Sequence, residues 1–177
     1  MTLRSLTAIL FAAALCIAGA ARAQQPPAAP NLDAIPDKMP FDVPYGPPIS
    51  LEKAQALIQA ATDEATKRGW HYDVAVVDSG ANLVAFARMS GGPLGSISIA
   101  EHKARAAAKY RRPTKVFEDA IQKFDFKYLM TLDDIIASRG GIPLIEDGKV
   151  VGAIGCSAGT GSQDEAICEA AIAKVMK

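Results

Sequence analysis

The stretch R-G-G-I-P-L-I-E-D-G-K-V-V-G-A-I-G-C-S-A-G-T-G-S-Q-D, Arg139 to Asp164, organises the chain. Two apolar runs, Ile142–Ile145 and Val150–Cys156, flank Asp147-Gly148. An Asp-Gly pair between β-rich runs predicts a hairpin, because both central residues of a type I′ turn need positive φ. The second run breaks at Gly159-Thr160-Gly161 and a helix follows from Gln163 to Met176, with Ser162 and Glu165 expected to form its capping box. The glycine loop matches neither a phosphate-binding P-loop nor a dinucleotide fingerprint.

Upstream, Ser50 can cap a helix over Leu51–Arg68 whose Leu51, Ala54, Leu57, Ile58, Ala61 and Ala65 share one face. Tyr72–Asp78 and Asn82–Arg88 read as a second hairpin, rich in the β-branched and bulky residues that strands prefer. An alanine-rich helix spans Ser96–Tyr110; small side chains let such a helix approach another backbone, or a flat ligand, closely. Pro113 ends it, Thr114 can cap a helix to Phe124, and a further short strand is expected near Ile135–Ser138. Consecutive hairpins imply an α+β fold: a single domain with an antiparallel sheet of about five strands and helices packed on it.

Before this domain, Met1–Ala23 has the features of a secretory signal peptide. Arg4 is followed by the apolar Leu6–Ala18 and by Ala21-Arg22-Ala23, a small-x-small cleavage pattern. The apolar run is short for a bilayer span, so cleavage would leave no stable membrane anchor and a periplasmic or secreted protein of about 150 residues, one domain's worth. Gln24–Pro48 is a proline-rich linker or arm, too apolar in its second half for a purely solvated tether. The expected domain is residues 49–177. Formal net charge is zero, which excludes the basic footprint of a nucleic-acid binder. Cys156 and Cys168 remain after cleavage. The oxidising compartment allows one disulfide between them, and two buried thiols are the alternative.

The sequence carries no catalytic signature. Gly155-Cys-Ser-Ala-Gly159 has the outline of a nucleophile elbow, but glycines replace the helix that should follow Ser157 and no histidine comes later. His71 and His102, the mature chain's histidines, have no zinc-ligand spacing with the cysteines. His102, on the alanine-rich helix, is the candidate ligand to haem iron. Small neighbours leave room for a macrocycle, and Lys103, Arg105 and Arg111 can meet its propionates. A solvent-facing helix histidine is the alternative. His71, Met89 and Tyr110 are weaker candidates.

Three blocks carry a family likeness: V-A-V-V-D-S-G-A-N-L-V-A-F-A-R-M (Val74–Met89), G-P-L-G-S-I-S-I-A with the later K-A (Gly92–Ala104), and G-G-I-P-L-I-E-D-G-K-V-V-G-A-I-G-C-S-A-G-T-G-S-Q-D-E (Gly140–Glu165). From about Ile49 to Lys177 the chain resembles the GlcG/HbpS-like haem-binding family, also seen as the C-terminal domain of PduO-type proteins. Cys156 stands where the family block often has an apolar residue. The resemblance implies a compact antiparallel sheet flanked by helices, a homo-oligomer, and haem as a cofactor in redox or haem sensing beside a sensor partner. The alternative is a small-carboxylate-binding or catalytic role, or an accessory of a periplasmic glycolate or alcohol dehydrogenase. There Asp78, Arg88, Ser157 and Gln163 would line a pocket between subunits. The chain reads as a binding module more than as an enzyme.

Overall fold

A computed structural model describes residues 31, 34–39 and 41–176. The signal-peptide assignment lies outside the described residues. No described helix is long and apolar enough to cross a membrane.

The elements run α1 (Leu51–Lys67), β1 (Asp73–Asp78), β2 (Leu83–Arg88), α2 (Leu94–Tyr110), α3 (Lys115–Phe124), a 3-10 turn (Lys127–Thr131), β3 (Gly141–Glu146), β4 (Lys149–Ser157) and α4 (Gly161–Val175). The four strands form one antiparallel sheet in the order β2-β1-β4-β3. Both expected hairpins form. Asp147 and Gly148 take φ values of 48° and 72°, as a type I′ turn requires. Ser50 caps α1 by accepting from the Lys53 N–H at 3.2 Å.

Three local expectations are corrected. No strand forms at Ile135–Ser138, so the sheet has four strands rather than five. The Ser138 carbonyl is instead taken by the Thr114 hydroxyl at 2.7 Å, which removes it from any ladder. Thr114 for the same reason makes no side-chain cap on α3; its hydroxyl also accepts from the Gly141 N–H at 3.0 Å. Lastly, α4 begins two residues earlier than expected. Its capping box is Thr160 with Gln163, and the Gln163 side-chain oxygen accepts from the Thr160 N–H at 3.0 Å.

The two faces of the sheet pack differently. Val74, Val76, Leu144, Ile154 and Cys156 meet α1 and α4 in a core built of large apolar side chains, including Leu57 and Ile167. Fully burying each such residue contributes roughly 1.5–3 kcal/mol. On the other face Ala75, Val77 and Ala153 meet the alanines of α2. Here the helix backbone touches the sheet. A Cβ added at Gly155 would lie 2.1 Å from the Ala100 carbonyl oxygen, and one at Gly141 would lie 2.3 Å from that of Lys103. The alanine-rich helix therefore approaches backbone, not a flat ligand, along its inner face.

The second half of the arm lies on a surface, and that surface is this chain's own. Where β1 ends opposite Gly152, residues 44–49 take over the free side of β4. Gly46 N–H donates to the Val150 carbonyl, Val150 N–H to Pro44 and Ile49 N–H to Val151, at 2.8–2.9 Å. Ahead of these bonds, Phe41 stacks its ring 3.8 Å from the Arg112 guanidinium carbon. Cys156 and Cys168 are joined as a disulfide, with their Cα atoms 5.9 Å apart, so α4 is tied to β4.

Candidate functional site

The end of the sheet where β1 begins and β4 finishes opens as a groove of about 190 Å³, lined by Trp70, His71, Tyr72, Ala158, Gly159 and Gln163. The alternation of extended chain arranges the first three residues. Trp70 and Tyr72 lie on one side with ring centroids 6.1 Å apart. His71 falls between them in sequence, is exposed, and rests against Gly91. The Arg68 guanidinium lies 5.2 Å from the Trp70 ring.

Behind the groove sits a buried ion pair. Lys103 reaches from α2 to Asp164 on α4, Nζ to Oδ2 2.6 Å, with 1% and 3% of the two side chains exposed. Lys103 also donates to the Cys156 carbonyl at 3.3 Å. The other oxygen of Asp164 accepts from the N–H groups of Ala158 and Gly159, at 3.2 and 3.0 Å, and so shapes the groove wall. The Tyr72 hydroxyl is buried here without a hydrogen bond. Burial, together with the charge of Asp164, pushes its phenol well above the usual tyrosine range.

Next to the groove a row crosses three strands: Arg88 on β2, Asp73 on β1 and Ser157 on β4 stand opposite one another. Asp73 is fully buried and neither carboxylate oxygen has a partner. Burial pushes its pKa up, and the charge of Arg88 works in the opposite direction. A Cβ at Gly92 would lie 2.5 Å from Asp73 Oδ1, so the carboxylate presses on the turn that leads into α2.

The expected site residues do not all meet. Arg88 and Ser157 share the row with Asp73, and Gln163 lines the groove while closing its capping box. Asp78 stands apart at the other end of β1, five residues or roughly 17 Å along the strand. There it accepts from the N–H groups of Gly80 and Asn82, at 2.8 and 2.9 Å, and holds the hairpin turn. Lys103 cannot serve a propionate, because its ammonium is buried against Asp164. Arg105 pairs with Glu101 on the next turn of α2 at 3.1 Å. His102 is half-buried, and its Nε2 is shielded from solvent with no hydrogen-bond partner. The sequence reading missed Trp70, Tyr72, Asp73 and Asp164. Asp73 had a signal, a carboxylate in the second position of the expected strand, directly ahead of the apolar Val74–Val77. Among the described residues no group of three or more His, Cys, Asp or Glu side chains is placed to hold a metal ion.

Comparison with known proteins agrees with this architecture. The family model described as "Haem degrading protein HbpS-like" matches residues 49–173. Protein GlcG of Escherichia coli K12 is 36% identical over 109 residues, which cover 62% of this chain and 81% of GlcG. Among solved structures, HbpS of Streptomyces reticuli, crystallised as a double mutant, superposes with a TM-score of 0.68. It is 27% identical, and the match covers 84% of this chain and 99% of that one. The PduOC:heme complex superposes with a TM-score of 0.65 at 26% identity, covering 71% and 94%. With its four-stranded sheet, its backbone-packed second helix and a family match that runs from Ile49 into α4, this chain belongs to the HbpS-like family.

Proposed function

We propose that the chain is a haem-binding module and that the groove at the start of β1 is where haem lies. The observation that carries this is the exposed His71, which lines the groove together with the tilted Trp70 and Tyr72 rings and with Ala158 and Gly159, two residues of almost no side-chain bulk. Those residues fit the group chemically. A neutral imidazole is a haem-iron ligand, aromatic rings suit a flat apolar macrocycle, and Arg88 supplies a cation for a propionate, Arg68 being paired with Glu64 at 2.8 Å. Bound there, haem would supply a redox-active iron; the chain contributes the imidazole, the apolar wall and the charge. A family relative is solved as a heme complex, which supports the reading.

At about 190 Å³ the groove is smaller than the ~300–1,000 Å³ of pockets that enclose a whole ligand. The rest of the macrocycle would be covered by a second copy, which supports a homo-oligomer. The sequence of residues 1–23 and the Cys156–Cys168 disulfide support a periplasmic or secreted setting, where a sensor or dehydrogenase partner would act.

His102 keeps a second reading because its buried Nε2 is unpartnered. Hemin titration followed at the Soret band separates the two. A saturable shift is expected, altered by His71→Ala and unchanged by His102→Ala. The reverse pattern would move the ligand to α2. A titration with no saturable shift would sink the haem reading itself.

A further inference from the structure

A second cavity, of about 200 Å³, lies away from the groove between the arm, α3 and the 3-10 turn. Its walls are apolar and largely aromatic, with Phe41, Phe117, Phe126, Tyr128 and Leu129 around it, and one cation lines it, Arg112. The guanidinium carbon lies 3.8 Å from the Phe41 ring centroid and 5.8 Å from that of Phe117. Arg112 Nε donates to the Tyr110 carbonyl at 2.9 Å, and no acidic side chain pairs with Arg112 among the described residues. Burial and the neighbouring charge of Arg111 both work against its charged form. The other cations of this region are matched: Lys109 with Asp134, Lys115 with Asp119, and Arg111 with the Val43 carbonyl and Asp42.

Phe41 reaches this position at a cost. Its φ is 58°, a left-handed backbone conformation that bulky residues rarely adopt. The strain is retained where the Phe41 ring covers the guanidinium and forms one wall of the cavity. A partly buried cation without a carboxylate partner, set in an aromatic pocket, is complementary to an anion that carries an apolar body.

We propose that this cavity binds a small monocarboxylate with a flat or branched apolar body. Its carboxylate meets the Arg112 guanidinium, its body fills the aromatic walls, and Phe41 of the arm covers it. The site is independent of the groove and of whether haem binds there.

Calorimetric titration of the purified protein with phenylacetate tests this, with benzyl alcohol and phenethylamine as neutral and cationic probes of similar shape. Saturable binding of phenylacetate is expected, with benzyl alcohol and phenethylamine at least about tenfold weaker. Arg112→Met should weaken phenylacetate at least about tenfold while leaving benzyl alcohol unchanged. Phe41→Ala, which keeps the charge and removes only the cover, should weaken it severalfold and serves if the arginine variant fails to fold. Absence of saturable phenylacetate binding, equal affinity for the three probes, or unchanged affinity in a folded variant of Arg112 would each overturn the proposal.

Discussion

Asp73 and Asp78 stand at the two ends of the same strand and have opposite fates. Asp78, at the hairpin, is half-exposed and takes the N–H groups of Gly80 and Asn82 as well as the Asn82 amide. Asp73, at the groove end, is fully buried and accepts nothing. The first is an Asx-type turn residue whose carboxylate substitutes for backbone acceptors. The second carries an unmet desolvation cost, the pattern expected of a residue retained for something other than stability. Asp164 is the control: equally buried, but with Lys103 and two backbone N–H groups on its oxygens. Identical side chains are thus inert, supportive or costly according to the donors that tertiary packing brings to them.

The largest test turns Asp164 into a second Asp73. Lys103→Met should remove about 3–5 kcal/mol of folding stability at neutral pH, because it leaves a buried carboxylate uncompensated. Urea denaturation measures it, and a loss below ~1 kcal/mol would mean the pair is better solvated than its burial indicates. Next, reduction of the Cys156–Cys168 disulfide, which closes a loop with a sequence separation of 12, should cost about 2–3 kcal/mol by loop entropy. Thermal melts with and without reductant read this, and the groove end should loosen before the turn end in hydrogen exchange.

Asp78→Ala should cost about 1–2 kcal/mol, since the turn N–H groups of Gly80 and Asn82 lose their acceptor. Asp73→Asn should change stability in the other direction, raising it by about 1 kcal/mol at pH 7. The sign follows from linkage. Burial raises the folded-state pKa of Asp73 above its ordinary value of 3.8, so its stability contribution is fully present below that value and is lost as pH rises through the folded pKa. The asparagine variant should lack this decline. If Asp73→Asn and Asp78→Ala destabilise equally at neutral pH, the contrast between the two ends of the strand fails.

Much of the frame was legible because it depends on local chemistry. Asp147-Gly148 specifies its turn, Ser50 its cap, and the valine-rich apolar run Val74–Val77 a strand. The site was less legible. Asp78 resembles a pocket residue in sequence because an aspartate at a strand end is equally compatible with a turn and with a ligand; only its donors distinguish them. Lys103 reads as a propionate partner on an alanine-rich helix, yet it falls buried on the inner face of α2. There Gly141 and Gly155 let the helix come close enough for the ammonium to cross the end of the sheet. In sequence Trp70 and Tyr72 carry no site signal and His71 is only a lesser candidate ligand. They become a groove wall only because the disulfide-tied loop at Ala158–Gly159 returns beside them.

By itself the sequence determined the element types, the two hairpins, the family and a short list of polar residues. Each of these follows from interactions within a few residues, or from a pattern whose period is that of the element. Tertiary structure alone decided whether Cys156 and Cys168 met, which face α2 presents, and which of three aspartates are satisfied. Those outcomes depend on donors, acceptors and backbone approaches between residues dozens of positions apart, and burial, which sets their cost, exists only once the layers have packed.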